Sequence, residues 1–280
     1  MKKIFQIIGL ISLVCFSFFI TDKTATVVND MDEIMINIKD NYENYKSESV
    51  DAIIKDNTII PGLYGKEVNI NKSYKNMKEN GYYSENAYIY NYTKPKISIN
   101  DNLDKYIISG NKNKRMVSLL FIVNNNDTIN NIVKVVNNND IKVNFFIDNN
   151  FLSENNDLIN NLIKNNHIIG SLESDYTTST FGWMDTIIKK VGNQKYGYCY
   201  NLVDNNENLK SCSNLKNYTI RPNIVTTMSP LIDIKENLAP GSLIALNINS
   251  NLEIELQNII NYIKSKGYII ANLEEHLSEK

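Results

Sequence analysis

The spacing of hydrophobic positions along the chain changes at about residue 116. Residues 116–123 form a continuous apolar run, which is typical of a strand buried on both faces of a sheet. Over 129–136 the apolar residues then recur with the period of one helix face. The same alternation predicts strands at 141–147 and 168–172, a helix around 158–163, and a final strand, helix and strand at 243–248, 252–263 and 268–273. Such alternation predicts a parallel α/β sheet or barrel, whose functional side chains gather at the carboxyl ends of the strands.

The first 110 residues have a different pattern. An amphipathic helix is predicted over 28–46, and a short helix over 73–80 should end at Gly81, a favoured C-cap. Aromatic residues alternate over 87–92, which predicts a strand. We therefore expect a helical stalk and a small prefix region over 27–110, ahead of a larger domain over 111–280. The pattern indicates no chemistry for the prefix.

The N-terminus predicts export. Two lysines, Lys2 and Lys3, precede an uncharged apolar run over 4–20. The run is long for a signal peptide and short for a bilayer span, and no clean cleavage motif follows it. Residues 1–26 are therefore a signal peptide or an N-terminal membrane anchor, and the protein is expected to be extracytoplasmic, either secreted or anchored. Cys199 and Cys212 would form a disulfide in an oxidising compartment, although two separate thiols fit the sequence equally well.

Composition excludes several classes of function. The 29 lysines and arginines nearly balance the 31 acids, and no basic cluster in the sequence would follow a phosphate backbone, so nucleic acid is not an expected partner. There are only 2 histidines, which excludes a histidine-rich catalytic metal site. His167 is expected to interact with the C-terminus of a helix, through a hydrogen bond or as a cation. His276 lies in a polar tail and is assigned no role.

The order of short segments over 112–277 resembles the polysaccharide deacetylase family, also called the NodB homology domain. The segments that carry the resemblance are Val117-Ser118-Leu119-Leu120-Phe121, Val143-Asn144-Phe145-Phe146-Ile147, Asn166-His167-Ile168-Ile169-Gly170, Ile220-Arg221-Pro222, Pro240-Gly241-Ser242-Leu243-Ile244 and Lys266-Gly267-Tyr268. The resemblance implies an α/β fold, a deformed (β/α) barrel of the NodB type, over 111–280, preceded by a small mixed prefix.

The resemblance also implies metal-assisted hydrolysis of the amide bond of N-acetyl sugars. That chemistry uses a carboxylate base, an aspartate and two histidines as metal ligands, and a histidine acid. The matching positions of this chain carry other side chains: Ile122, Val123, Leu172, Tyr176, Ile224 and Asn247. Because aliphatic side chains cannot bind a divalent cation, no catalytic residue, metal or cofactor is predicted.

Two functional hypotheses follow. The first is an exported pseudoenzyme that binds cell-wall glycan, such as peptidoglycan, or a partner protein. Tyr176, Trp183 and Arg221 are its candidate binding residues, because aromatic rings stack on sugars and arginine binds carboxylates. Core packing explains the aromatic residues equally well, and an internal salt bridge explains Arg221.

The second hypothesis is a carbohydrate deacetylase with a displaced site. A shifted alignment would recruit one or more of five carboxylates for it: Asp127, Asp148, Glu173, Asp175 and Asp185. The preferred interpretation of these five is that they are solvated loop acids or helix caps.

Overall fold

The computed structural model describes residues 11–17, 29–124 and 127–280. The chain divides into a smaller unit, which includes Tyr64–Lys94 and the residues before Val50, and a larger unit of Val50–Leu63 and Pro95–Lys280. The boundary differs from that expected from the sequence. Residues 50–63 and 95–110 belong to the larger unit because their strands pair with its main sheet.

Strands and helices are numbered here in chain order over the described residues. The strands are β1 (Ile53–Lys55), β2 (Thr58–Ile60), β3 (Gly65–Val68), β4 (Tyr90–Thr93), β5 (Tyr106–Ile107), β6 (Met116–Val123), β7 (Asn144–Ile147), β8 (Ile168–Ser171), β9 (Gly197–Tyr200), β10 (Asn217–Ile220), β11 (Ile224–Val225), β12 (Leu243–Asn247) and β13 (Ile269–Ile270). The α-helices are α1 (Glu33–Asn41), α2 (Ile70–Asn80), α3 (Asn130–Asn138), α4 (Asn149–Glu154), α5 (Asn156–Lys164), α6 (Ser179–Gly192), α7 (Asn206–Asn214), α8 (Pro230–Asn237), α9 (Ser250–Ser265) and α10 (Leu273–Leu277). Short 3-10 helices cover Tyr42–Tyr45, Glu85–Ala87, Ile99–Asp101 and Lys112–Lys114.

The smaller unit packs α1 and α2 with the antiparallel pair β3–β4. Its core consists of Ile38, Val68, Met77 and Tyr88. The predicted C-cap of α2 is confirmed, since Gly81 has a φ of 81° and donates its N–H to the last turn. The predicted helix over 28–46 is an α-helix followed by a 3-10 turn.

The larger unit is built on one curled sheet. Its strand order is β1-β2-β5-β10-β9-β8-β7-β6-β12-β11, and β13 also pairs with β6. In this spatial order, every neighbouring pair from β5 to β11 is parallel. Six strand-to-strand steps separate β10 from β11, about 29 Å in a flat sheet. The chain links them through only Arg221, Pro222 and Asn223, which span at most about 14 Å. The sheet must therefore curl, and the predicted deformed barrel is confirmed.

The apolar run of β6 is explained by burial on both sides. Phe121 and Val123 point outward to a layer of helices, whereas Leu120 and Ile122 point into the barrel interior. The side chains on both faces of β6 are closed to solvent, so the strand has no polar face.

Two parts of the larger unit differ from the sequence pattern or go beyond it. The predicted last strand over 268–273 is shortened to β13, because Asn272 accepts a hydrogen bond from the Glu275 N–H and starts α10.

Cys199 of β9 and Cys212 of α7 form a disulfide, which resolves the alternative left open by the sequence.

The predicted signal peptide or membrane anchor lies mostly outside the described residues. Only 11–17 of the apolar run are described, and they are helical and exposed. Within the described parts of the chain, no helix is long and apolar enough to cross a membrane.

Candidate functional site at the barrel mouth

The carboxyl ends of β6, β8 and β12 bring part of the predicted site together. Asn247 is the register partner of Ile122 across the β12–β6 ladder. Ile122 is buried in the interior apolar cluster, and Leu172, which follows β8, packs against the same cluster. Asn247 is exposed, and its Nδ2 donates to the Thr226 carbonyl at 3.1 Å. The mouth therefore has an aliphatic floor with one exposed amide beside it.

Two other predicted positions face away from this floor. Val123 and Ile224 are buried in the outer cluster, between the sheet and its helices. The alignment with the family placed both residues in the site. Because side chains alternate between the two faces of a strand, these two point to the helix layer and not to the barrel interior. Neither side chain is available to a ligand in the mouth.

Aromatic rings fill the interior below the mouth. Phe146 and Tyr200 contact each other with ring centroids 5.5 Å apart. A Cβ at Gly170 would lie 2.5 Å from the Phe146 ring, so only glycine leaves room for it. The glycine in the Ile-Ile-Gly segment of β8 was the only sequence signal of this close packing.

The prediction that Tyr176 binds substrate is wrong. Its side chain is only 2% exposed, and its ring packs edge-on against Phe181 at 4.7 Å. Its hydroxyl lies 2.8 Å from the carbonyl oxygens of both Ser171 and Tyr200, and it accepts the N–H groups of Glu173 and Tyr200 at 3.1 Å. The hydroxyl thus joins the ends of β8 and β9, and burial raises the pKa of Tyr176 above its usual range.

Replacement of Tyr176 by phenylalanine should therefore lower stability and leave the packing of the ring intact. We expect the free energy of unfolding to fall by about 1 to 3 kcal/mol, because several backbone groups lose their shared partner. Urea unfolding followed by Trp183 fluorescence would measure this loss. Tyr268→Phe, which keeps the ring that stacks on Arg115, is the control. Equal stability of Tyr176→Phe and the parent would contradict the structural role assigned here.

Trp183 is the predicted binding residue that remains open to solvent. It lies in the second turn of α6 and is 53% exposed. Four other aromatic residues of the 176–200 stretch are buried, as core packing predicts, and these are Tyr176, Phe181, Tyr198 and Tyr200.

Arg221 is held by its neighbours at the end of β10. Its guanidinium forms an ion pair with Asp204 and lies over the Tyr106 ring, 3.9 Å from the centroid. The internal salt bridge is therefore present. The preceding residue, Ile220, points into the barrel interior, so strand alternation directs Arg221 away from it.

The five candidate carboxylates have separate local roles. Asp148 caps α4 through the Phe151 N–H, and Asp127 accepts from the Asn124 N–H. Asp175 accepts from the Thr177 hydroxyl and from the Thr177 N–H, and these hydrogen bonds lower the pKa of Asp175. These three are loop and cap acids, as the preferred interpretation held. Glu173 is half-buried and accepts from the Asn149 N–H, and burial raises its pKa.

Asp185 differs from the solvated acid expected from the sequence. It is buried on α6 and pairs with Lys189 at 2.9 Å and with the Asn217 amide at 2.8 Å. Lysine four residues later is the usual helical partner of an aspartate, and this spacing was the available sequence signal.

The residues at the mouth do not fit the divalent metal that the family resemblance implies. Ile122 and Leu172 offer no donor atom, Val123 is buried on the opposite face of the sheet, and the Tyr176 hydroxyl is occupied by backbone groups. Over the described ranges, no group of three or more histidine, cysteine, aspartate or glutamate side chains is placed to hold a metal ion.

Both histidines are buried, which excludes the cation predicted as one alternative for His167 and corrects the placement of His276 in a polar tail. His167 accepts the Val143 N–H at Nδ1 (3.2 Å) and lies 3.0 Å from the Asn137 Oδ1 through Nε2. Burial, reinforced by Lys142, lowers the pKa of His167 to about 4, so it acts through hydrogen bonds and not as a cation. His276 is fully buried, with Nδ1 2.8 Å from the Ser118 Oγ, and burial lowers its pKa to about 3.

The two histidines should make stability depend on pH from about 6.5 downward, to about 4 for His167 and to about 3 for His276. Their folded-state pKa values lie below the unfolded value of about 6.5, so the unfolded chain binds more protons in this window. Stability is therefore complete above pH 6.5 and falls as pH decreases, by up to about 1.4 kcal/mol per pH unit for each histidine. Urea unfolding at several pH values would measure the slope. His167→Gln and His276→Gln should each reduce it, whereas a slope unchanged in both variants would contradict the assignment.

Comparison with known proteins agrees with the fold. No protein-family profile matches the chain. An uncharacterized Bacillus subtilis protein, YlxY, is 30% identical over 113 residues, which cover 40% of this chain and 35% of that protein. The match therefore spans about a third of that relative's length.

Solved structures match over more of the chain. A family 4 carbohydrate esterase (CE4) pseudoenzyme from Bacillus anthracis has a TM-score of 0.69 and 22% identity, covering 89% of this chain and 96% of that one. The CE4 enzyme PdaA of Bacillus subtilis has a TM-score of 0.54 and 17% identity, over 63% of this chain and 86% of that one. The chitin deacetylase of the fungus Colletotrichum lindemuthianum has a TM-score of 0.53 and 16% identity, over 63% and 93%. The chain thus has the NodB-type fold of the CE4 polysaccharide deacetylases, and its mouth lacks the side chains of the deacetylase chemistry.

Proposed function

We propose that this protein is an exported pseudoenzyme that does not hydrolyse N-acetyl groups and instead binds cell-wall glycan. The observation that carries the proposal is the mouth itself. Ile122 and Leu172 form an apolar floor where metal-assisted hydrolysis needs a carboxylate and an imidazole. Tyr176 cannot replace the second imidazole, because its hydroxyl is bound to backbone groups of two strands.

Glycan binding is supported by one exposed ring and by the fold. Trp183 presents an open aromatic face, which is the kind of surface that stacks on sugars. One similar structure is named as a chitin deacetylase and another as a CE4 pseudoenzyme, so the same fold handles a sugar polymer and also occurs without activity. The basic, apolar N-terminus supports export.

Loss of catalysis can be tested on the full chain. We expect no release of acetate from N-acetylglucosamine oligomers, with or without added zinc, and no stoichiometric zinc binding by calorimetry. Turnover that a chelator abolishes, together with one tightly bound zinc per chain, would instead support a deacetylase with a displaced site. Loss of that turnover in Asp175→Asn or Asp185→Asn would then locate it.

Glycan binding can be tested by co-sedimentation with purified peptidoglycan. We expect saturable binding that Trp183→Ala weakens about tenfold or more, since stacking of an aromatic ring contributes of order 1 kcal/mol or more at a binding surface. Tyr82→Ala removes another exposed ring, from the smaller unit, and should leave binding unchanged. Equal binding by Trp183→Ala and the parent, or no binding by the parent at millimolar glycan, would overturn this part of the proposal.

A further inference from the structure

The end of the barrel opposite the mouth is strongly basic. The turns that enter β6, β7, β8, β9 and β10 lie side by side there, because these strands are parallel neighbours. Each turn carries a cationic residue that is exposed or, for Lys142, partly exposed. We call this set the basic rim, and its members are Arg115, Lys142, Lys164, Lys190, Lys195 and Lys216.

Contacts between these turns show that the basic rim is continuous. The Lys189 ammonium donates to the Leu215 carbonyl at 2.5 Å, which joins the end of α6 to the turn before β10. Asn217 pairs with Gly197, so Lys216 and Lys195 precede neighbouring strands. The one carboxylate within these turns is Asp140, which lies 3.2 Å from Lys142.

Helix stabilisation does not account for the whole rim. Lysines in the last turn of a helix compensate its dipole, which explains Lys164 and Lys190. Lys216 lies directly before β10 and Lys195 two residues before β9, and both lie outside the helices. Four acids show the opposite placement, since the first turns of α5, α7, α8 and α9, which face the mouth, carry Asp157, Glu207, Asp233 and Glu253. Glu274 and Glu275 of α10 lie at the rim end, where the Lys114 ammonium donates to the Glu275 carbonyl at 2.8 Å.

Exposed apolar side chains lie among the cations of the basic rim. Val191 is 45% exposed beside Lys190, and Leu215 is 38% exposed beside Lys216. Ile269, which is 55% exposed, pairs with Met116 at the start of β6. The surface therefore offers both positive charge and apolar groups to one partner.

We propose that the basic rim docks on an anionic phospholipid membrane. Lysines near such a surface are attracted by its negative potential, and neighbouring apolar side chains enter the boundary between headgroups and acyl chains. A soluble polyanion would satisfy the lysines but would leave Val191, Leu215 and Ile269 in water. Docking at this end directs the mouth away from the bilayer, and the proposal does not depend on the proposed glycan binding.

Hydrogen exchange on the full chain tests the docking directly. We expect anionic vesicles of phosphatidylcholine with phosphatidylglycerol to slow exchange several-fold in residues 189–196 and 214–217, and pure phosphatidylcholine vesicles to leave it unchanged. About 0.5 M salt should abolish the effect, because it screens charges beyond a few ångströms. Because exchange is measured in the rim itself, the experiment distinguishes docking of the rim from attachment of the chain to vesicles through its N-terminal segment.

A charge-matched pair of variants separates the rim from net charge. The triple variant Lys190→Gln, Lys195→Gln, Lys216→Gln should need roughly tenfold to a hundredfold more anionic lipid to reach the same protection from exchange. Its control, Lys72→Gln, Lys75→Gln, Lys96→Gln, removes three exposed lysines outside the turns that form the rim and should behave as the parent. Equal loss in both variants, equal protection by neutral vesicles, or equal protection by a DNA duplex would overturn the proposal. Circular dichroism would confirm that both variants fold.

Discussion

Aspartate in place of Ile122 should destabilise the larger unit by about 4 kcal/mol or more at neutral pH. The change removes a buried aliphatic side chain and places a carboxylate in an apolar cluster that contains no cation. Burial would raise the pKa of the new carboxyl, so the folded state would bind more protons than the unfolded state. The loss relative to the parent should therefore be smaller at pH 5 than at pH 8.

The matched control for this variant is Asn247→Asp. Asn247 pairs with Ile122 across the β12–β6 ladder but is exposed, so a carboxylate there remains in water. We expect a loss of about 1 kcal/mol, because the carboxylate cannot make the amide's hydrogen bond to the Thr226 carbonyl but stays in water. Urea unfolding of both variants, followed by Trp183 fluorescence, would measure the difference. If Ile122→Asp were as stable as the control, the mouth would be open to water and its apolar floor would be wrong.

Alanine in place of Glu279 should have a comparable effect, although the residue is next to last in the chain. Its side chain is only 4% exposed, and its carboxylate accepts the N–H groups of Gly62 at 2.9 Å and Ile99 at 3.1 Å, together with the Ser98 hydroxyl. Removing the carboxylate leaves these buried donors without an acceptor. We expect the free energy of unfolding to fall by about 3 to 5 kcal/mol.

Glu274→Ala controls for the removal of a C-terminal acid. Glu274 is exposed in the first turn of α10, and its loss should cost less than about 1 kcal/mol. Glu279→Gln keeps one acceptor oxygen, so its loss in free energy of unfolding should lie between those of Glu279→Ala and Glu274→Ala. A fall of less than 1 kcal/mol in Glu279→Ala would show that the Glu279 carboxylate is not needed to satisfy these buried donors.

The arrangement of the site was only partly predictable. Alignment with the resemblance identified the positions of Ile122 and Leu172, and the structure places both at the mouth. It also selected Val123 and Ile224, which face the helix layer. A match of residue positions does not show whether a side chain points to the helix layer or to the barrel interior. Tyr176 was open to two interpretations, and only the positions of the Ser171 and Tyr200 backbone groups decide between them.

Local pattern by itself determined the alternation of buried parallel strands with helices and the capped helix before Gly81, and the family resemblance of the sequence implied the barrel and the replacement of the catalytic side chains. Each of these depends on residue type and on spacing within a few turns or strands, which the sequence displays directly. The burial of His276 and Glu279, the disulfide between Cys199 and Cys212, and the collection of dispersed lysines into the basic rim were decided by the tertiary structure. These features join residues that are distant in the chain or depend on which side chain is closed to water, and the physical reason is that only the closed barrel fixes those distances and exposures.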